Sequence, residues 1–82
     1  MLEFSEHAHF AASEREIPIE WVERVVKTPE LCLQDPRDAE QQRFYGPIQE
    51  FGNRVLRVVV NTKAAPWRVV SVFFDRSMKG KL

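Results

Sequence analysis

Arg57 is the one charge in the interior of two largely apolar segments, NRVLRVVVN and WRVVSVFFD, which occupy residues 53–61 and 67–75 and carry their other charges, Arg54, Arg68 and Asp75, near their ends. Side chains alternate between faces along a strand. Val55, Arg57, Val59 and Asn61 therefore share one face of the first segment, and Trp67, Val69, Ser71 and Phe73 share one face of the second. With Thr62 to Pro66 as the loop and Asn61 opposite Trp67, Arg57 is expected to fall opposite Ser71. An arginine framed by valines must reach solvent, pair with an acid or hold an anion. A guanidinium beside a hydroxyl suits the last of these, with phosphate as the natural ligand class. Arg43 and Tyr45 alternate onto one face of an earlier strand and can share the surface of Arg57, while Arg76 adds positive charge just beyond the second segment. His7 is the candidate for proton transfer, either as acid or as base. Its other reading is local, a hydrogen bond that ties down a helix start.

His7 and His9 are two residues apart, so on a helix they diverge and do not chelate one metal ion. The single cysteine, Cys32, excludes an internal disulfide and cannot build a zinc site by itself. Flanked by Leu31 and Leu33, it reads as a small packed hydrophobe. No metal site and no cofactor is implied.

The elements that must position these residues follow from periodicity. Ser5 and Glu6 suit the cap and first turn of a helix, and Phe4, Ala8, Ala11 and Ala12 form its apolar stripe up to about residues 14–16. Pro18 restarts the chain into a second helix with Ile19, Val22 and Val26 as its line, widened by Trp21 and Val25, and Thr28-Pro29 ends it. Glu20 and Glu23 stand four residues before Arg24 and Lys27 and offer charge pairs along that helix. Leu31 to Leu33 reads as a short edge strand, and residues 34–41 as a polar loop. Arg43 to Tyr45 opens a strand that Gly46-Pro47 can bulge, continuing through Ile48 to Phe51 before a turn at Gly52-Asn53. In the hairpin that follows, Leu56, Val58, Val70 and Val72 are the predicted core face. The expected fold is α+β, two N-terminal helices on one face of an antiparallel meander of about four strands.

Eighty-two residues are expected to make one domain, 1–82, with 44% hydrophobic and 29% charged residues as in ordinary globular chains. A domain of this size buries only roughly 60–65% of its unfolded surface, so self-association as a homodimer or a protein partner would help it. Twelve basic and twelve acidic residues cancel, but from Arg54 onward seven bases face Asp75 alone. That half is compatible with a phosphate-bearing partner. With no signal peptide and no long apolar run, a cytoplasmic location without membrane contact is expected.

The combination FSEHAHFAASEREIPIEWVERVVKTPE, RFYGP, NRVLRVVVN and VVSVFFDR resembles a group of small bacterial domains of unknown function, similar at a distance to the RelE and BrnT toxins. The resemblance implies helices packed on an antiparallel sheet, RNA cleavage as the activity, and an antitoxin as partner. Arg57 and His7 would then be catalytic, with Arg43, Tyr45 and Arg76 on the RNA. The arginine common after His-Ala in such domains is replaced here by Ala11, which removes one phosphate contact. Shared fold does not fix shared activity. The alternative is a non-catalytic interaction or dimerisation domain that uses the open sheet face.

Overall fold

The computed structural model describes residues 2–82. Its elements are β1 (Glu3–Phe4), α1 (Glu6–Glu14), α2 (Ile19–Lys27), β2 (Leu31–Gln34), β3 (Gln41–Ile48), β4 (Arg54–Asn61) and β5 (Arg68–Phe74), with 3-10 turns at Gln49–Phe51 and Arg76–Met78. The strands form a five-stranded sheet in the order β1-β5-β4-β3-β2. The α+β class is as expected. The sheet is mixed rather than a four-stranded meander, because residues 3–4 pair parallel to β5 before α1 begins. Glu3 N–H donates to the Trp67 carbonyl and Ser5 N–H to that of Val69, so a two-residue strand is held wholly by its neighbour.

Ser5 caps α1 as expected, its hydroxyl accepting from the Ala8 N–H at 3.1 Å. The small stripe Ala8, Ala11 and Ala12 is buried, which lets the helix backbone lie close to β5. In α2 the buried pair is Val22 and Val25, while Ile19 is 38% exposed and Val26 half-buried. Both helices share one core with Phe44, Ile48, Leu56, Val58, Val60, Val69 and Val72, which places them on one face of the sheet. Gly46 belongs to the same face, and a Cβ there would stand 3.1 Å from Val25 Cγ2. Close approach of α2, rather than a bend, explains this glycine.

The expected bulge at Gly46-Pro47 is absent: β3 pairs in register with β4 from Gln41 to Ile48. β2 ends opposite Tyr45, so Pro47 lies where β3 has a free side and its missing N–H breaks no ladder bond. The irregularity lies on β5 instead. Val59 pairs with Ser71 but Val60 with Val69, so Val70 is an extra residue. It reverses the alternation, sending Val69 into the core in place of Val70. Together with a hairpin that pairs Asn61 with Arg68 rather than Trp67, it moves the partner of Arg57 from Ser71 to Phe73. The turn at Gly52-Asn53 is as expected, both residues having φ near +60°. Glycine has no Cβ to clash there, and asparagine tolerates the conformation well among other residues.

Arg24 does not serve mainly as a partner along its own helix. It grips Glu50 in a two-bond fork, 2.9 and 2.8 Å, tying α2 to the turn after β3. The fork lowers the Glu50 pKa to about 2. Because this folded-state value is depressed, the associated stabilisation is present above the ordinary glutamate range and is lost as pH falls toward about 2. Both side chains are about half exposed, so the effect on global stability is small. In Arg24→Ala the Glu50 titration, followed by carboxyl-carbon NMR, is expected to move back up toward the ordinary glutamate value. An unchanged midpoint would show that the fork does not form in solution.

Candidate nucleic-acid interface

Three of the expected site residues do share a surface. Tyr45, Arg57 and Phe73 are direct neighbours across β3, β4 and β5, and Arg43, Val59 and Ser71 form the parallel row beside them. This is the sheet face away from the helices, since Arg57 lies between Leu56 and Val58, which both point into the core. Each arginine on this face pairs with a carboxylate of the chain. Arg57 Nη1 lies 3.3 Å from Asp75 Oδ2, and its guanidinium carbon sits 4.5 Å from the centroid of the Phe73 ring. Arg57 Nε is buried with no hydrogen-bond partner among the described residues. Arg43 Nε lies 3.4 Å from Asp35 Oδ2.

The electrostatics follow those contacts. The Ser77 hydroxyl, donating to Asp75 Oδ1 at 2.6 Å, lowers the Asp75 pKa most, with the Ser77 N–H and Arg57 adding to it against partial burial. Asp35 is lowered mainly by the Arg37 N–H, with Arg43 contributing. Burial opposes the charge on Arg43, but Tyr45 and Asp35 together outweigh it and the net shift is upward. Two carboxylates therefore neutralise the two arginines expected to hold an anion. Of the three readings open to Arg57, the acid pair is the one formed.

His7 is exposed on α1, whose stripe is packed on the helix-bearing face, so it is not brought together with Arg57. A single phosphate on the open face cannot be shared by both. Cys32 is exposed rather than packed, with its Sγ 3.0 Å from Gln42 Oε1. No group of three or more possible metal ligands occurs among the described residues.

Arg76 leads to a different surface, at the end of β5. A groove of about 410 Å³ wraps around the C-terminal end of β5 and is lined by Arg15, Phe51, Arg54, Phe73, Phe74 and Arg76. No carboxylate lines it. Arg15, Arg54 and Arg76 are exposed and form no salt bridge among the described residues. Arg54 stacks on Phe51, its guanidinium carbon 4.7 Å from the ring centroid, and Phe51 in turn meets Phe74 at 5.0 Å. A second groove of about 250 Å³ adjoins it, sharing Arg54, Phe74 and Arg76 and adding Val55, Asp75 and Lys79, so the carboxylate that pairs with Arg57 borders this second groove. Three uncompensated guanidinium groups interleaved with aromatic rings can hold phosphate while offering a flat surface to a base. The sequence signal was the repeated aromatic-then-arginine spacing, Phe51 to Arg54 and Phe73-Phe74 to Arg76.

Residues 4–74 match the family model described as a domain of unknown function, DUF4258. The chain belongs to this family. No curated protein and no solved structure matches it. The matched span of the DUF4258 domain includes both helices and every strand but for Glu3 of β1, together with Arg15, Phe51, Arg54, Phe73 and Phe74 of the groove. Arg76 and Lys79 lie just past it. Among the described residues no helix is long and apolar enough to cross a membrane.

Proposed function

We propose that this domain is a toxin-like RNA-binding module that seats single-stranded RNA in the groove of Arg15, Arg54 and Arg76. The observation that carries the reading is the set of three arginines free of acid partners among the described residues, interleaved with Phe51, Phe73 and Phe74 and with no carboxylate in the lining. Phosphates would meet the guanidinium groups and a base would stack on an exposed ring. RNA cleavage by a ribose hydroxyl needs a base, an acid and charge stabilisation on the phosphate. The groove lining supplies the last of these. His7 has no part in this reading, and Arg57 supports Phe73 rather than touching RNA.

The test is fluorescence anisotropy with a short single-stranded oligoribonucleotide. Three phosphate contacts give an expected slope of log affinity against log salt of about −2, at roughly −0.7 per contact on a single strand. Arg54→Glu and Arg76→Glu are each expected to weaken binding by about tenfold or more, and Phe51→Ala by a similar factor through lost stacking. Binding that ignores all three substitutions would sink the proposal. Growth arrest with RNA cleavage on expression, lost in Arg54→Glu, would extend it to an endoribonuclease toxin. RNA binding without cleavage would leave it a non-catalytic member of that kind.

A second reading, a protein-interaction domain, is favoured by the open face. Its arginines are already paired and Tyr45, Val55 and Val59 are buried among them, so it presents a nearly neutral surface, with Leu33 exposed at its edge, to an antitoxin or another protein partner.

A further inference from the structure

The β2 edge of the sheet is open. β2 is the last strand of the sheet, and its sequence Leu31-Cys32-Leu33-Gln34 holds no charge and no proline. Natural edge strands are usually blunted by charge, proline, a bulge or a covering element, because unpaired N–H and C=O groups invite another strand. The opposite edge, β1, has only two residues and α1 follows it at once. At β2 none of these protections is present within the strand: Leu33 is 45% exposed and Cys32 is exposed.

The hydrogen bonds fix which groups face outward. Asp35 N–H donates to the Gln41 carbonyl at 3.1 Å, so residue 35 turns its backbone polar groups toward β3. By alternation residues 33 and 31 do the same, and Cys32 and Gln34 present theirs to the free side. Side chains are fixed as well. Leu31 and Leu33 stand opposite Tyr45 and Arg43 on the open face, while Cys32 is opposite Phe44 on the helix-bearing face.

We infer that two copies of the chain join antiparallel through β2, about a two-fold axis at Cys32, so that two five-stranded sheets become one of ten strands. In this register Cys32 meets Cys32 of the second copy with their outward backbone groups bonded. Leu31 then meets Leu33 of the second copy, and Leu33 meets Leu31, giving two leucine pairs on the open face. A shift of the axis to Leu33 would keep the faces matched but oppose Leu31 to Asp35, leaving one leucine pair. The occupant is a second copy because the match is self-complementary: Leu31-Cys32-Leu33 reads the same in both directions about Cys32, so a two-fold axis there sets each leucine against a leucine. The formal net charge of zero sets no overall repulsion between copies. A four-residue strand offers few bonds to a lone peptide, whereas the two-fold axis repeats every contact.

The experiment is sedimentation equilibrium of the full chain under reducing conditions, with Leu33→Lys and the milder Leu33→Thr compared with the parent. Leu33 lies on the surface, so both variants are expected to keep the circular dichroism spectrum of the parent. The parent is expected as a dimer, Leu33→Lys as a monomer and Leu33→Thr as a weaker dimer. A short bismaleimide should crosslink the parent through Cys32, since opposed residues in a bonded antiparallel pair have Cα atoms about 5.5 Å apart. The same reagent should leave Leu33→Lys uncrosslinked. A monomeric parent, a folded Leu33→Lys that remains dimeric, or a dimer that resists crosslinking at Cys32 would each overturn the inference.

Discussion

Leu56→Ala is expected to lower the unfolding free energy by about 2–5 kcal/mol, the range for truncating a buried leucine. Leu56 is fully buried at the middle of a cross-strand row, between Gly46 on β3 and Phe74 on β5. The cost should fall toward the upper part of that range because the row cannot close over the gap. Gly46 has no side chain to move in, and it has none because Val25 of α2 already occupies the space above it. The whole domain, at typical values per residue, has roughly 4–12 kcal/mol of stability. One substitution therefore removes a large fraction of it. Urea unfolding should show a lower midpoint with an unchanged slope, since the surface exposed on unfolding hardly changes. Phe10→Ala on the exposed side of α1 is the control, with an expected change within about 0.5 kcal/mol. Equal effects at the two positions would mean that the helix layer does not cover Leu56.

The parts of this fold that were legible in the sequence are those whose cause is local. Ser5 caps α1 because its own hydroxyl reaches a backbone N–H three residues on, and the alanine stripe follows from a period of 3.6. The turn at Gly52-Asn53 and most of the β4 core face, Leu56 and Val58, are of the same kind. What was not legible depends on a partner distant in the chain. β1 is too short to show any period, and it is a strand only because β5 lies beside it. The bulge at Val70 leaves no mark in a run of Val, Ser and Phe, yet it turns Val69 inward and, with the one-residue shift that sets Asn61 opposite Arg68, slides Arg57 onto Phe73. Cys32 looked packed because its neighbours are leucines, but no helix covers β2.

The same distinction governs the site. Alternation correctly put Arg43, Tyr45 and Arg57 on one face, but it could not say which acids would reach them. Asp75 is eighteen residues from Arg57 and meets it only through the hairpin register. His7 and Arg57 were separated by the sheet itself, a fact that depends on which face α1 chooses. The groove at the end of β5 draws on residues from 15 to 76, and only topology joins the end of α1, the turn before β4 and the end of β5. Its local trace, an arginine two or three residues after a phenylalanine, is too common a spacing to stand by itself. Charge count was the more informative signal. The excess of base after Arg54 survives folding at this end of the sheet, after Asp75 is used by Arg57 and Glu50 by Arg24.

Asp75→Ala is expected to destabilise the domain by about 1–3 kcal/mol, the cost of leaving a partly buried polar group without its partner. Asp75 has three duties. It accepts the Ser77 N–H at 3.0 Å as the cap of the Arg76–Met78 turn, accepts the Ser77 hydroxyl, and pairs with Arg57. Removing it leaves a guanidinium that is only 21% exposed and already has its Nε unsatisfied among the described residues. Arg57→Met removes the charge while keeping a long chain over Phe73, and it should cost less than Asp75→Ala. The decisive measurement is the double variant. If the stranded charge dominates, Asp75→Ala costs clearly less in the Arg57→Met background than in the parent. If the cap dominates, the two single effects simply add. The pH dependence gives an independent check on sign. The Asp75 pKa is lowered in the folded state, so its stabilisation is present above the ordinary aspartate range and fades as pH falls through the depressed value. The gap between parent and Asp75→Ala in denaturant unfolding should therefore narrow on acidification below the ordinary aspartate range. A gap that widened there would contradict the pairing of Asp75 with Arg57 and Ser77. RNA binding should respond as well: freeing Arg57 beside Phe73 adds one uncompensated charge next to the groove, so Asp75→Ala is expected to bind the oligoribonucleotide more tightly while folding less stably. That opposition of effects distinguishes a phosphate-binding groove from a surface whose arginines serve only the fold.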